Sequence, residues 1–275
     1  MASEGRRRWY ARKEGRDVIS IVLAGGEGRR LYPLTKDRCK PAVPFGGRYR
    51  IVDFVLSNLV NSGIYRNILL TQFKSQSLTR HVERAWQLSA LAGHFIEPVP
   101  AQMRRGPHWY KGNADAIFQN LDILAPELGD IICVFGADHI YRMDLNQMIG
   151  FHVESGAECT IAAIPAPLKD ATQYGVMAVG DKGKIVRFDE KPAEPAPMPG
   201  DPSKALVSMG NYVFSRKALV DAVVADAEAD SAHDLGRNIM PAFVNSGTAY
   251  AYNFGENRVA GAIEGGEPYW RDVGT

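Results

Sequence analysis

The feature that most constrains this chain is an apolar run that ends in a cluster of glycines. Val18-Ile19-Ser20-Ile21-Val22 has no alternation and reads as a strand buried on both faces. Leu23-Ala24-Gly25-Gly26-Glu27-Gly28-Arg29-Arg30-Leu31 follows directly. Glycine lets a backbone turn sharply and lets its N–H groups come close to a ligand. Such N–H groups favour anions, above all phosphates. Arg29, Arg30 and Lys40 add full positive charge nearby. The glycines alone fit either a phosphate-holding loop or an ordinary βα turn. Two familiar phosphate loops are excluded. The Gly-x4-Gly-Lys-[Ser/Thr] string is absent, and the third small residue of the dinucleotide fingerprint is replaced by Leu31.

The rest of the chain alternates strand and helix. Apolar residues from Val52 to Val60 fall at helical spacing, and Ile64 to Thr71 reads as the second strand, with Gln72 just beyond it. A helix is expected over Ser77 to Trp86, and Pro98 and Pro100 mark a loop. The next helix opens at Asn113-Ala114-Asp115, capped by Asn113 or Asp115. Ile131 to Phe135 is a continuous apolar run suited to a central parallel strand, and Asp138 follows its end. A helix to about Gly156 and a strand from Cys159 to Ile164 complete this part.

This order indicates an α/β fold with a doubly wound, mostly parallel sheet. Ligands in such sheets sit beyond the carboxyl ends of the strands. The Gly loop, Gln72 and Asp138 all lie at such ends, and this convergence favours the phosphate reading. The later part differs. Val176–Val179 and Lys184–Phe188 flank a hairpin turn, a Pro-rich surface loop follows, and Ala205–Phe214 is a strand. Lys217–Ala229 is a helix with Leu219, Val220, Val223 and Val224 inward. One or two helices lie within Ser231–Val244, and Thr248–Phe254 is the last strand.

The 275 residues are 45% apolar, enough for a large core, and the net charge is +1. That balance argues against a nucleic-acid or membrane surface, and no apolar run approaches the ~18 residues of a membrane span. Cys39, Cys133 and Cys159 lack metal-ligand spacing and suit a reducing cytoplasm. Met1–Arg16 is Arg-rich without an apolar segment and reads as a disordered, solvated tail ahead of one catalytic domain over 17–275.

Further motifs follow in order: Lys40-Pro41-Ala42-Val43-Pro44-Phe45-Gly46-Gly47, Trp109-Tyr110-Lys111-Gly112-Asn113-Ala114-Asp115-Ala116, Gly136-Ala137-Asp138-His139-Ile140-Tyr141, Tyr174-Gly175-Val176-Met177, Phe188-Asp189-Glu190-Lys191-Pro192, Ser208-Met209-Gly210 and Tyr269-Trp270-Arg271-Asp272-Val273-Gly274-Thr275. Together with the Gly loop, this series resembles the sugar-phosphate nucleotidyltransferases, and among them the glucose-1-phosphate adenylyltransferases. The resemblance implies a Rossmann-like catalytic domain that transfers the adenylyl group of ATP to glucose 1-phosphate with Mg²⁺.

It also implies site roles. Arg30 and Lys40 would handle the departing pyrophosphate, and Asp138 and Asp272 would hold the metal. Leu23, Ala24, Gly25, Gly26, Gly28, Gln72, Gly112 and Asp138 would surround the nucleotide. Tyr110, Gly175, Glu190, Lys191 and Ser208 would bind the sugar phosphate. Arg29 stands where many relatives have a small hydroxyl residue and receives no role. His139 and the other five histidines are read as structural, because a phosphate nucleophile is already dianionic near neutral pH and needs no base. A non-catalytic regulatory subunit and a thymidylyl- or uridylyltransferase are the alternatives; Arg30, Lys40, Asp138 and Lys191 favour a catalytic chain. For a full-length member the resemblance implies a homotetramer with allosteric effectors. The family's C-terminal left-handed β-helix is absent from this sequence, which leaves open whether it is a piece of a longer protein.

Overall fold

The computed structural model describes residues 12–13, 16–125, 127–261 and 268–274. In chain order the main elements are β1 (Arg16–Ala24), α1 (Val52–Asn61), β2 (Arg66–Thr71), α2 (Gln76–Ala85), β3 (Phe95–Pro100), α3 (Asn113–Gln119), β4 (Ile131–Gly136), β5 (His139–Tyr141), α4 (Leu145–Glu154), β6 (Cys159–Pro167), β7 (Gly175–Val179), β8 (Ile185–Glu190), β9 (Lys204–Ser215), α5 (Arg216–Ala227), α6 (Met240–Ser246), β10 (Ala249–Asn253) and β11 (Trp270–Asp272). They form two compact units interleaved along the chain. One unit comprises Met1–Gln102, Glu127–Leu145 and Tyr269–Thr275; the other comprises Met103–Pro126 and Asn146–Pro268.

The first unit is built on parallel strands in the order β4-β1-β2-β3. Val18 to Val22 is buried throughout, as a strand paired on both sides requires. The register aligns Leu23 with Gly136 and Ala24 with Thr71, so β1, β2 and β4 end together. From β1 the chain runs outward through β2 to β3, then crosses back to place β4 on the other side of β1. The strand order therefore reverses beside β1, which is where open α/β sheets hold their ligands. Among the described residues no helix is long and apolar enough to cross a membrane.

Side chains of α1 fix the segment that follows β4. Asn58 is buried; it donates to the Tyr141 carbonyl at 3.1 Å and accepts from the Met143 amide at 3.1 Å. Ser62 accepts from the Leu145 amide at 2.9 Å. At the far end of the chain β11 pairs antiparallel with β5, aligning Trp270 with Tyr141 and Asp272 with His139.

The second unit is largely antiparallel. β9 pairs with β6 and β7, β7 pairs with β8, and β10 joins β6 in parallel. The register of β9 shifts between Ser208 and Tyr212, a bulge that contains the left-handed Gly210.

Several expectations are corrected. Pro98 and Pro100 lie within β3, where they align with Leu69 and Thr71. The end position of β3 in the strand order explains why a residue without an N–H is tolerated there. Neither Asn113 nor Asp115 caps α3; Gly112 is the cap residue, and both side chains are used elsewhere. Val224 of α5 is exposed. Residues 249–253 are followed by one more strand, β11. Of the expected tail, Met1–Ala11, Glu14 and Gly15 lie outside the described residues, while Arg12–Lys13 pairs antiparallel with Arg16–Asp17.

Asn58→Ala leaves two backbone groups of the 141–143 segment without their side-chain partner. At ~1–3 kcal/mol for a buried group left unsatisfied, urea unfolding should show a loss of about 2 kcal/mol. An unchanged midpoint and slope would show that α1 does not secure this segment.

Candidate active site

Ala24 ends β1, and Gly25–Gly28 leads into a single 3₁₀ turn, Arg29–Leu31. Gly28 is left-handed, with φ 69° and ψ 40°. A Cβ there would stand 2.8 Å from Lys40 Cβ and 2.9 Å from Thr35 Cγ2. Gly28 is thus the point where the loop folds onto the Lys40 segment. Thr35 Oγ1 donates to the Gly28 carbonyl at 2.9 Å, and the Lys40 amide donates to the Gly26 carbonyl at 3.3 Å. With these carbonyls used, the amides of Gly26, Glu27 and Gly28 donate to no acceptor among the described residues. Gly25 lies against Gln72, with 3.5 Å between the two Cβ positions. Gly26 is different, because a Cβ there would meet nothing within 4 Å.

The strongest feature is Lys40. Its side chain is 7% exposed, and its ammonium donates to Asp138 Oδ2 at 2.7 Å and Asp272 Oδ1 at 2.9 Å. Burial by itself lowers the pKa of this ammonium. The two carboxylates outweigh it and hold the value above the usual 10.5. Burial likewise favours a neutral Asp138. The charges of His139 and Lys40, with the Lys40 hydrogen bond, prevail and keep its carboxyl below 3.8. Both groups are therefore charged at neutral pH.

Asp138, His139 and Asp272 offer ligand atoms that lie within 4.8 Å of one another. His139 Nε2 is 3.3 Å from Asp138 Oδ1, and its ring packs edge-on to Trp270. The two carboxylates suit a hard cation, and Lys40 takes one oxygen from each and leaves the other. The donor chemistry thus fits Mg²⁺. His139 belongs to this cluster although the sequence reading gave it a structural part; its place next to Asp138 was the available signal.

Arg29 and Arg30 have different surroundings. Arg29 pairs with Glu27. Arg30 is exposed and has no carboxylate partner among the described residues, and its guanidinium lies 3.2 Å from the position a Cβ on Gly274 would take. Gly274 leaves room for Arg30 to lie along the C-terminal segment. Leu23–Gly28, Arg30, Lys40, Gln72, Asp138 and Asp272 all fall in the first unit.

Tyr110, Gly112, Gly175, Glu190, Lys191 and Ser208 fall in the second unit. Gly175 aligns with Glu190 across β7 and β8. A Cβ on Gly175 would approach Glu190 Oε2 to 2.9 Å, and one on Gly236 would approach it to 2.5 Å. Two glycines far apart in sequence thus make room for one carboxylate. Burial, followed by the charge of Glu190, raises the pKa of Tyr212 far above the usual phenol range, against a hydrogen bond from Ser208. Asp234 also bears on Tyr212. Tyr212, Asp234 and Gly236 were missed because no local pattern marks them.

Lys191 lies just past β8 at φ 49°, with its amide tied to the Tyr174 carbonyl at 3.1 Å. Its Nζ is 3.2 Å from Glu190 Oε1, and its side chain is largely exposed. A left-handed lysine costs about 1–2 kcal/mol, strain that is characteristic of functional sites. The Tyr110 hydroxyl accepts from Asn120 at 2.8 Å, and burial raises its pKa. At Gly112 a Cβ would stand 2.2 Å from the His233 carbonyl oxygen, so only glycine fits.

Residues 19–275 match a family described as nucleotidyl transferase. A glucose-1-phosphate adenylyltransferase of Mycobacterium leprae (strain Br4923) is 57% identical over 264 residues, which are 96% of this chain and 65% of that protein. Its counterpart in Mycobacterium tuberculosis (strain ATCC 25618 / H37Rv) is 56% identical over 259 residues, 94% of this chain and 64% of that protein. This chain thus spans slightly less than two thirds of the length of these relatives. The parallel sheet, the Gly loop at its strand ends and the match over residues 19–275 lead to one conclusion: the chain belongs to the nucleotidyl transferase family.

Proposed function

We propose that this chain carries the catalytic region of a glucose-1-phosphate adenylyltransferase, joining ATP and glucose 1-phosphate to give ADP-glucose and pyrophosphate. The observation that carries the reading is the buried Lys40 ammonium, held between Asp138 and Asp272 next to a loop with unused amides. The relatives named above support the choice of nucleotide and sugar.

The chemistry accounts for the residues. The nucleophile is an oxygen of the sugar phosphate, whose second pKa is about 6, so it attacks as a dianion. The barrier lies in bringing two polyanions in line, and catalysis is positioning plus neutralisation of charge. The loop amides from Gly26 to Gly28 bind phosphate oxygens. Arg30 stabilises departing pyrophosphate, and Lys40 supplies a second cation and orients both aspartates. Asp138 and Asp272 hold Mg²⁺, which when bound neutralises phosphate charge. Lys191 binds the sugar phosphate as a point charge, and Glu190 accepts sugar hydroxyls. In this reading the product feeds glycogen or starch synthesis, the location is cytoplasmic, and the full-length protein is a homotetramer that responds to effectors.

The test is pyrophosphate release by the purified chain with ATP, glucose 1-phosphate and Mg²⁺. A preference for dTTP or UTP would overturn the nucleotide assignment, and binding without turnover would point to a regulatory subunit. Asp138→Asn should lower kcat by at least about 100-fold, the scale of losing a main transition-state charge interaction, while keeping the far-UV spectrum. Lys191→Ala should raise KM for glucose 1-phosphate by roughly tenfold or more, as one lost charge-assisted hydrogen bond does. Gly26→Ala and Gly28→Ala separate ligand approach from folding. The first should raise KM for ATP at unchanged Tm, whereas the second should lower Tm. A lowered Tm in Gly26→Ala would remove the argument that its open space serves a ligand.

A further inference from the structure

Outside the groups given roles above, the second unit holds a buried polar cluster around His233. Asp226 of α5 and His233 are each at least nine-tenths buried. His233 Nδ1 is 2.8 Å from Asp226 Oδ2, Ser231 Oγ donates to Asp226 Oδ1 at 2.7 Å, and the His233 amide donates to Ser231 Oγ at 3.0 Å. Serine, histidine and aspartate together suggest a nucleophilic triad, but the geometry rejects it. A triad histidine faces the acid with Nδ1 and the nucleophile with Nε2. Here Nδ1 faces both Asp226 and Ser231.

The cluster instead holds a backbone. His233 has φ 52°, a left-handed conformation that histidine adopts at a cost and that needs support. In that conformation its carbonyl accepts the Ala114 amide at 2.8 Å and fills the space beside Gly112. The next two residues hold Asn113. Asp234 Oδ2 accepts from Asn113 Nδ2 at 3.1 Å, and the Leu235 amide donates to Asn113 Oδ1 at 2.6 Å. Gly236 then passes Glu190 Oε2. One short turn therefore joins the start of α3, just after Tyr110 and Gly112, to the Glu190 carboxylate.

We infer that His233, held by Asp226 and Ser231, is a positioning residue that sets the spacing between the Tyr110–Gly112 segment and Glu190 for the sugar phosphate. This rests on the function proposed above. His233 itself touches no reacting atom.

The test uses His233→Gly and His233→Asn. Glycine keeps the left-handed turn at no steric cost and removes the tie to Asp226. Asparagine also tolerates that conformation, and its amide can donate to Asp226. His233→Gly should raise KM for glucose 1-phosphate by about 10- to 100-fold, the range for misplaced binding groups. His233→Asn should restore most of the loss. Equal KM values for glucose 1-phosphate in wild type and His233→Gly would overturn the inference, whatever their Tm values. Amide exchange reads the same latch without substrate. The Ala114 and Leu235 amides should exchange faster in His233→Gly and as in wild type in His233→Asn, and unchanged exchange in His233→Gly would also overturn it. Wild type that fails to turn over glucose 1-phosphate counts against the proposed function instead, and exchange still decides the latch.

Discussion

A single ammonium buried between two carboxylates organises the first unit. Lys40, Asp138 and Asp272 come from three segments separated by 98 and 232 residues from Lys40. An unpaired charge at the Lys40 position would be costly, and one carboxylate would leave the cluster neutral with little to offer a cation. With both aspartates ionised and Lys40 protonated, the three groups sum to one negative charge. That balance leaves the cluster anionic, the sign a hard cation requires, without leaving two bare carboxylates to repel each other. The fold supplies the geometry in steps. Strand register sets Asp138 beyond β4, the fold of the loop over Gly28 brings Lys40 in, and pairing of β11 with β5 brings in Asp272.

The glycines singled out in the two units fall into two kinds. At Gly28, Gly112, Gly175 and Gly236 a Cβ would strike the protein's own atoms between 2.2 and 2.8 Å away. Those positions serve packing: they admit Lys40 Cβ at Gly28, the His233 carbonyl at Gly112, the Phe188 ring at Gly175 and the Glu190 carboxylate at Gly236. Gly26 meets nothing and has no unusual φ, so packing does not call for glycine there. Open space beside unused amides is what close approach of a phosphate requires. A Gly-rich stretch read only as sequence cannot separate these cases.

Much of the first unit was legible in the chain itself. The unbroken apolar runs of Val18–Val22 and Ile131–Phe135 marked buried parallel strands, and residues just past their ends gave the loop and Asp138. Asp272 was assigned only by resemblance, since no local pattern shows that residues 270–272 pair with 139–141. Its partnership with Lys40 was illegible for the same reason. Pro98 and Pro100 misled because proline usually breaks a strand, and its tolerance depends on where the strand lies in the sheet. Around Glu190 the gaps were larger. Gly236 leaves room for the Glu190 carboxylate and Tyr212 senses its charge, and the turn and the bulge that place them have no periodic signature.

The histidines give an independent view of the chemistry. His81 pairs with Asp53 at 2.6 Å, His152 with Thr160 at 2.9 Å, and His233 with Asp226 at 2.8 Å. His94 stacks on Tyr65, the His108 ring bonds the Trp109 carbonyl, and His139 lies against Asp138 and Trp270. All six are thus engaged in holding the protein together or, at His139, in the acidic cluster. An enzyme that had to remove a proton from an alcohol or a water would be expected to keep a base near its operating pH at the reacting centre. A phosphate dianion asks for no base and for much positive charge. Arg30, which has no carboxylate partner among the described residues, matches that requirement. That guanidinium, beside a loop whose amides find no acceptor among the described residues, is the support the structure lends to the proposed phosphate-on-phosphate chemistry.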